Sequence, residues 1–174
     1  MADWKQVLGD LAASRATPLK RFAFLLCGDP ADAEDLVQDA LVRAFSRPLR
    51  SPSPAEAEAY VRVIITNRFI DLARRRAPLR RAVTRLASAP LSVPDPADGV
   101  ALRTDMSVAL GALTPRQRAC VVLYYYEDLS VPQIARALGC GEGTVKRTLH
   151  DARFALHAMV VTRTDGGDRA HVDL

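Results

Sequence analysis

Over most of this chain, apolar side chains recur every three or four residues, which is the period of a helix with one buried face. Segments that alternate apolar and polar residues, as strands do, are nearly absent from the sequence. Helix start signals recur, because Ser53, Thr114 and Ser130 each stand three residues before a Glu or a Gln, the spacing of a capping box. The pattern predicts an all-α protein.

The first half of the chain predicts three helices. We expect them over about residues 3–27, 30–47 and 54–76. Gly28 suits the end of the first helix, and Asp29 is a good cap for the second. Pro18 marks a point where the first helix can be interrupted, and Pro78 predicts the end of the third.

The segment 87–99 separates two predicted domains. It is rich in Pro, Ala and Asp and has no sustained periodicity, which is typical of a flexible linker. We therefore predict small helical domains over residues 1–86 and 100–162. The last segment, 163–174, is polar and contains Gly166 and Gly167, so we predict a flexible tail.

The second domain contains a helix-turn-helix pattern. After the linker, one helix bears Leu110, and another runs from Pro115 to about Glu127. Beyond Ser130, the small residue Ala135 falls where two helices would cross, and Gly139 falls where the turn needs a positive φ. The sequence therefore predicts two short helices joined by a tight turn, an arrangement that many DNA-binding proteins use.

The helix after that turn carries a row of basic and polar side chains. Val145, Leu149, Ala152 and Leu156 would form its buried face. The side chains left outside are Lys146, Arg147, His150 and Arg153. They either enter the major groove of DNA or only solvate a surface helix; the turn, the caps and the spacing together favour the groove.

Charge is distributed unevenly along the chain, although the net charge is only +4. Residues 29–39 hold five acidic side chains and no Lys or Arg, whereas residues 60–86 hold eight Arg against the single acid Asp71. One face should therefore suit a basic partner and another a polyanion such as a nucleic acid.

Two helical stripes within these segments are candidate binding surfaces. Asp35 and Asp39 stand four residues apart with Gln38 beside them, a ridge that can pair with Arg side chains or simply face water. The third helix carries a second polar stripe, which is either a nucleic-acid contact or the polar flank of an amphipathic helix. Its members are Asn67, Asp71, Arg74 and Arg75.

Other kinds of chemistry find little support in the sequence. Cys27, Cys120 and Cys140 are odd in number and widely spaced, so we expect reduced thiols without a disulfide or zinc site. We find no catalytic nucleophile–base set, no metal-ligand spacing and no cofactor motif. The sequence also lacks a membrane-length apolar run and the apolar core of a signal peptide, so we expect a cytoplasmic protein that does not insert into membranes.

Taken in order, the motifs of both halves resemble those of the extracytoplasmic-function (ECF) sigma factors of bacterial RNA polymerase. In the first domain the resemblance rests on AEDLVQD at 33–39, RAF at 43–45, and Tyr60 followed by Asn67 and Asp71. In the second it rests on LTPRQR at 113–118, YYEDLS at 125–130 and the turn that starts at Leu138. Two motif sets in this order, separated by a linker, are specific.

The resemblance implies a function and a role for each set of residues. It implies a non-enzymatic subunit that binds core RNA polymerase and promoter DNA, with an anti-sigma factor as a further partner that no residue here identifies. For polymerase binding it implies Asp35, Gln38 and Asp39. For single-stranded minus-ten DNA it implies Arg47, Leu49, Arg50, Ser51, Tyr60, Asn67, Asp71, Arg74 and Arg75. For duplex minus-thirty-five DNA it implies Gly143, Thr144, Lys146, Arg147, His150 and Arg153. The alternative is a stand-alone helix-turn-helix regulator.

The sequence departs from the family pattern at several positions. Thr148 and Asp151 stand where relatives often carry arginine, and Gly141 stands where serine is common, so we expect weaker or altered minus-thirty-five binding. Tyr60 stands where tryptophan is common. The tyrosines at 124–126 follow an apolar run, so we expect them, like Trp4, to pack in the core.

Overall fold

The computed structural model describes residues 4–49, 52–86 and 101–167, and every regular element within these ranges is helical. The helices are α1 (Trp4–Cys27), α2 (Pro30–Ser46), α3 (Pro54–Leu86), α4 (Ala101–Ala112), α5 (Pro115–Val121), α6 (Val131–Ala137) and α7 (Glu142–Gly167), with a π-helical turn at Val122–Tyr126. The chain divides into two compact units, Met1–Gly99 and Val100–Leu174. The all-α, two-domain prediction is confirmed; the predicted linker 87–99 lies outside the described residues.

The first unit is a bundle in which α1, α2 and α3 pack against one another. Leu8, Leu19 and Phe22 of α1 are fully buried in its core, together with Val61 and Ile65 of α3. Burial of one apolar face per helix supplies most of the driving force for this packing.

Local signals set the turn between the first two helices. Gly28 adopts a φ of +77°, a conformation that favours glycine, and ends α1. Asp29 Oδ1 then accepts a hydrogen bond from Asp32 N at 2.9 Å, which caps α2. At α3, Ser53 N donates to Glu56 Oε2 at 2.8 Å, so the predicted capping box is confirmed there.

Both prolines expected to break helices lie inside them. Pro18 is within α1, and α3 continues through Pro78 to Leu86, so the predicted end near Arg76 is wrong. A proline removes one helical hydrogen bond, and favourable neighbours can offset that loss. Leu11 and Leu19, on either side of Pro18, are buried and hold α1 in the core. After Pro78 the sequence is dominated by Arg, Ala and Leu, which are strong helix formers.

The second unit contains the predicted helix-turn-helix. Ser130 N donates to Gln133 Oε1 at 2.8 Å at the start of α6, and Gly139 adopts a φ of +60° in the turn. Ile134 and Ala135 of α6 are buried, as is Val145 of α7. The capping box therefore determines where α6 begins. The left-handed conformation of Gly139 lets the chain turn from α6 toward α7.

The predicted helix 115–127 changes form part-way along its length. Beyond Val121 it widens into the π-helical turn, where Glu127 N donates to Val122 O at 3.2 Å. Tyr125 is 58% exposed and Tyr126 is 48% exposed, whereas Tyr124 is half-buried, so the prediction of a buried tyrosine run is wrong. A π turn inserts one residue into the helical register, which rotates the side chains that follow.

The tail prediction is also wrong in part, because α7 continues through residues 163–167 to Gly167. Glycine lowers helix propensity by about 1 kcal/mol, which does not by itself stop a helix that is already propagating. The rest of the predicted tail, 168–174, lies outside the described residues.

Candidate functional site

The outer side of α2 combines polar and apolar side chains. Asp35 and Gln38 are exposed, and Val42 (64% exposed) and Phe45 (42% exposed) follow them on the same helical stripe. We call these four residues the docking surface. The sequence interpretation missed Val42 and Phe45, although their spacing from Gln38 was a usable signal. Exposed apolar groups beside acidic ones are typical of a protein-binding surface.

Asp39, the third predicted polymerase contact, pairs with two arginines of its own chain. Its Oδ2 accepts hydrogen bonds from Arg43 Nε at 3.2 Å and from Arg68 Nε of α3. Partial burial alone would raise the pKa of Asp39, but the hydrogen bond from Arg68 and the charge of Arg43 outweigh it and lower that pKa. Asp39 therefore ties α2 to α3, and its contact with polymerase stays a prediction.

A second ion pair joins the same helices nearer the start of α2. Arg76 donates from Nη1 to Asp32 Oδ2 at 2.9 Å and from Nη2 to Asp32 Oδ1 at 3.3 Å. The hydrogen bond and the negative charge of Asp32 raise the pKa of Arg76. This two-point geometry orients a guanidinium group more firmly than a single contact does.

The predicted minus-ten stripe of α3 lies on the surface. Asp71, Arg74 and Arg75 are exposed, and Asn67 is half-buried. Arg74 Nη2 lies 3.9 Å from Asp71 Oδ1, an exposed pair that solvent screens and that contributes little to stability. The structure thus presents three of the four side chains to solvent on one helix, where they can reach a nucleic-acid strand.

The predicted minus-ten loop begins at the end of α2, close to Tyr60. Tyr60 is half-buried and its Oη lies 3.5 Å from Arg47 O, while Arg47 is exposed and Leu49 is half-buried. The structure therefore brings Tyr60 together with the first residue of this loop. Arg50 and Ser51 lie outside the described residues.

The first two turns of α7 present predicted DNA contacts to solvent. Gly143, Thr144, Lys146 and Arg147 are exposed, whereas Val145 between them is fully buried. His150 is also exposed and its Nδ1 lies 3.5 Å from Asp151 Oδ1. The cations Lys146 and Arg147 thus lie close to the N-terminus of α7, where the partial positive charge of the helix also favours phosphate.

The arginine farther along α7 has a different environment. Arg153 Nε donates to Tyr125 Oη at 2.8 Å, and its guanidinium carbon lies 5.8 Å from the ring centres of both Tyr124 and Tyr125. The hydrogen bond with Tyr125 raises the pKa of Arg153. The structure therefore groups Arg153 with the tyrosines of the π turn, a contact that helical periodicity does not reveal.

Thr148, one of the two residues that stand where relatives often carry arginine, forms a hydrogen bond within its own helix. Its Oγ1 donates to Thr144 O at 2.8 Å. This bond uses the only hydrogen that the hydroxyl can donate. Neither Thr148 nor Asp151 supplies the positive charge that an arginine would bring to a phosphate.

The described residues hold no group of three or more His, Cys, Asp or Glu side chains placed to bind a metal ion. Cys27, Cys120 and Cys140 are unpaired thiols. Burial, together with the nearby Cys140, raises the pKa of Cys120 to about 11. In residues 4–49, 52–86 and 101–167, no helix has the length and apolar character needed to cross a bilayer.

Comparison with known proteins matches both units to one class. Residues 11–78 match the family model of sigma-70 region 2, and residues 103–156 match that of sigma-70 region 4. The RNA polymerase sigma-E factor of Streptomyces coelicolor is 35% identical over 150 residues, covering 86% of this chain and 84% of that protein. The ECF RNA polymerase sigma factor SigL of Mycobacterium tuberculosis is 38% identical over 156 residues, covering 85% of this chain and 88% of that protein. This chain belongs to the ECF RNA polymerase sigma factors.

A solved structure shares the fold. The sigma factor RpoE of Bartonella quintana, crystallised in complex with the anti-sigma factor NepR, matches this sigma factor with a TM-score of 0.64 at 24% identity, over 87% of this chain and 95% of that one. The two region matches and the two sigma factors of 35% and 38% identity confirm the family resemblance drawn from the motifs. This sigma factor directs core RNA polymerase to promoters and initiates transcription.

Proposed function

We propose that the two units divide the work of promoter recognition: residues 1–86 bind polymerase and the minus-ten element, and residues 100–162 bind the minus-thirty-five element. The observation that carries this division is that the three candidate binding surfaces fall in two separate compact units. The docking surface and the stripe of α3 belong to the first compact unit, and the helix-turn-helix belongs to the second. Residues 87–99 then connect the two.

The docking surface is suited to a helical, arginine-bearing partner. Asp35 supplies negative charge, Gln38 supplies both donors and acceptors, and Val42 and Phe45 supply apolar area beside them. Apolar contact at the centre of an interface gives affinity, and charge complementarity gives register and partner choice. We assign this surface to the largest subunit of core polymerase.

The minus-ten surface is suited to single-stranded DNA. Arg74 and Arg75 can follow phosphates, Asn67 can bond a base edge, and Tyr60 offers an aromatic ring beside the loop that begins at Arg47. Binding an unpaired strand more tightly than the duplex shifts the equilibrium toward strand opening. The protein needs no catalytic group for this step, because binding energy alone favours the melted state.

The minus-thirty-five surface is suited to duplex DNA. The first two turns of α7 can enter the major groove, with Lys146 and Arg147 exposed directly after Gly143 and Thr144 in the sequence. The bond to Tyr125 uses one of the five guanidinium donors of Arg153 and restricts where that group can reach. We therefore rank Lys146 and Arg147 above Arg153 as contributors to affinity.

Two further aspects belong to the same proposal. The protein acts in the cytoplasm, where bacterial polymerase meets DNA, and it has no enzymatic activity of its own. An anti-sigma factor stays a prediction. The support for it is that the solved structure of similar fold contains a sigma factor together with one.

The experiment is a pull-down of bacterial core polymerase followed by run-off transcription on a promoter library. We expect binding and initiation at promoters that share a two-part motif. Purified protein that binds core polymerase but starts transcription at random would contradict the proposed DNA surfaces. A Val42→Ser, Phe45→Ser variant should lose core binding, whereas a Met106→Ser variant, which changes an exposed apolar residue of the other unit, should retain it.

A further inference from the structure

One carbonyl group closes the end of α2. Ala44 O accepts a hydrogen bond from Arg47 N at 3.2 Å, the contact that ends the helix, and a second from Trp4 Nε1 at 2.9 Å. The indole bond is buried and joins residues 40 positions apart in the sequence. The first turn of α1 therefore holds the last turn of α2.

Trp4 also contacts the start of α3. It is only 7% exposed, and its ring centre lies 6.1 Å from that of Tyr60 with the planes inclined by 59°. Tyr60 Oη in turn lies 3.5 Å from Arg47 O. Trp4 thus contacts the chain before and after the minus-ten loop. Its indole N–H bonds Ala44 O, shortly before the loop begins at Arg47, and its ring packs against Tyr60, which follows the loop.

The end of a helix is where such support matters. The last carbonyls of a helix have no partner within it, and final turns fray unless other groups bind them. Arg47 has a φ of −131° and a ψ of 79°, so the chain has already left helical geometry there. A buried N–H donor at Ala44 O therefore determines the direction in which Arg47 and the loop depart.

We propose that Trp4 is a positioning residue for minus-ten recognition: it holds Tyr60 and the start of the loop in the geometry that accepts the unpaired strand, and it does not touch DNA itself. The proposal rests on the proposed function, because it takes Tyr60 and the loop that begins at Arg47 as the minus-ten surface. It adds a buried residue of α1 to the groups that determine promoter opening.

The test is the Trp4→Phe variant of the full chain, which keeps an aromatic ring and removes the N–H donor. Reconstituted with core polymerase, it should bind a single-stranded minus-ten oligonucleotide up to about fivefold more weakly, the limit set when one lost hydrogen bond of about 1 kcal/mol shifts the loop out of its binding geometry. Permanganate reactivity of unpaired promoter thymines should fall in the same proportion. Affinity for core polymerase should fall less than affinity for the oligonucleotide, because Phe45 of the docking surface adjoins Ala44 but Asp35 and Gln38 lie earlier on α2.

A matched control separates positioning from general stability. Leu19→Val removes buried volume from the same helix about four turns away from Trp4, and should lower the thermal midpoint to a similar extent. It should leave oligonucleotide affinity and permanganate reactivity intact. If Leu19→Val weakens both readouts as much as Trp4→Phe does, or if Trp4→Phe weakens neither, the positioning role is rejected.

The variants Tyr60→Ala and Asn67→Ala test the underlying assignment separately. If they reduce strand opening and Trp4→Phe does not, only the inference about Trp4 fails. If neither of them reduces strand opening, the minus-ten assignment fails and the inference falls with it. A loss of strand opening with all three variants that exceeds any loss of core binding supports both.

Discussion

Asp39 Oδ2 of α2 accepts a hydrogen bond from Arg68 Nε of α3, and the two residues lie 29 positions apart in the sequence. The same carboxylate pairs with Arg43 of its own helix. Asp35, one turn earlier, is exposed. Two acids that look equivalent in the sequence therefore differ in the structure, since Asp39 joins two helices and Asp35 is left exposed.

The substitution Asp39→Asn should destabilise the first unit. The carboxylate is 36% exposed, so screening limits its contribution to the free energy of unfolding to about 0.5–1 kcal/mol. Because the pKa of Asp39 is lowered from 3.8, the contribution is present above that pH and is lost as pH falls through the folded-state pKa. In urea titrations, the gap between wild type and variant should narrow below about pH 4. A gap independent of pH would show that charge is not involved.

The substitution Asp35→Arg with Gln38→Ala should abolish polymerase binding and leave the fold intact. Both side chains are exposed, so their loss removes no buried contact, whereas the reversed charge repels a basic partner. A pull-down with core polymerase measures the binding, and circular dichroism measures the helical content. Asp10→Arg makes the same charge change on the exposed side of α1 and should bind normally. Equal binding by all three proteins would reject the docking surface.

The substitution Lys146→Ala with Arg147→Ala should weaken duplex minus-thirty-five binding and reduce its salt dependence. The plot of log affinity against log salt concentration has a negative slope, and each lost phosphate contact makes that slope shallower by about 0.9. Arg153→Ala should change the slope less, because Tyr125 already holds that guanidinium group. Fluorescence anisotropy of a labelled promoter duplex at several salt concentrations measures the slopes. An unaltered slope for the double variant would mean that these side chains face away from DNA.

The substitution Gly139→Ala should destabilise the helix-turn-helix. Gly139 has a φ of +60°, which costs an alanine about 1–2 kcal/mol, although no atom obstructs an added Cβ. Gly141→Ser is the matched control, since Gly141 precedes α7 without a positive φ, and a serine cap there should add about 0.3 kcal/mol. Chemical denaturation measures both changes. Equal stabilities of the two variants would show that backbone strain at 139 is not decisive.

Cys120 should resist alkylation in the folded protein. It is 1% exposed and its pKa is raised to about 11, so the reactive thiolate is both inaccessible and scarce near neutral pH. Mass spectrometry after iodoacetamide treatment at about pH 8 should show Cys27 and Cys140, which are half-buried, modified before it. In denaturant all three should react. Labelling of Cys120 at the rate of Cys140 would mean that the second unit opens readily.

Much of the fold was predictable because its signals are local. The caps at Ser53, Thr114 and Ser130 and the left-handed glycines 28 and 139 act within a few residues of themselves, so they locate helix ends without knowledge of the whole molecule. Apolar periodicity, which is equally local, identified the buried face of α7. The motifs that mark the family also lie within short segments, and the comparisons confirm the family.

Other features depended on contacts between distant parts of the chain. Arg153 meets Tyr125 across 28 positions, and Trp4 meets Ala44 across 40. Helical periodicity describes only neighbours within about one turn, so it cannot tell whether Asp39 faces water or Arg68. The sequence by itself determined which segments form helices and to which family the chain belongs. Only the tertiary structure decided which charged side chains stay available to partners, because packing brings some of them against groups of opposite charge.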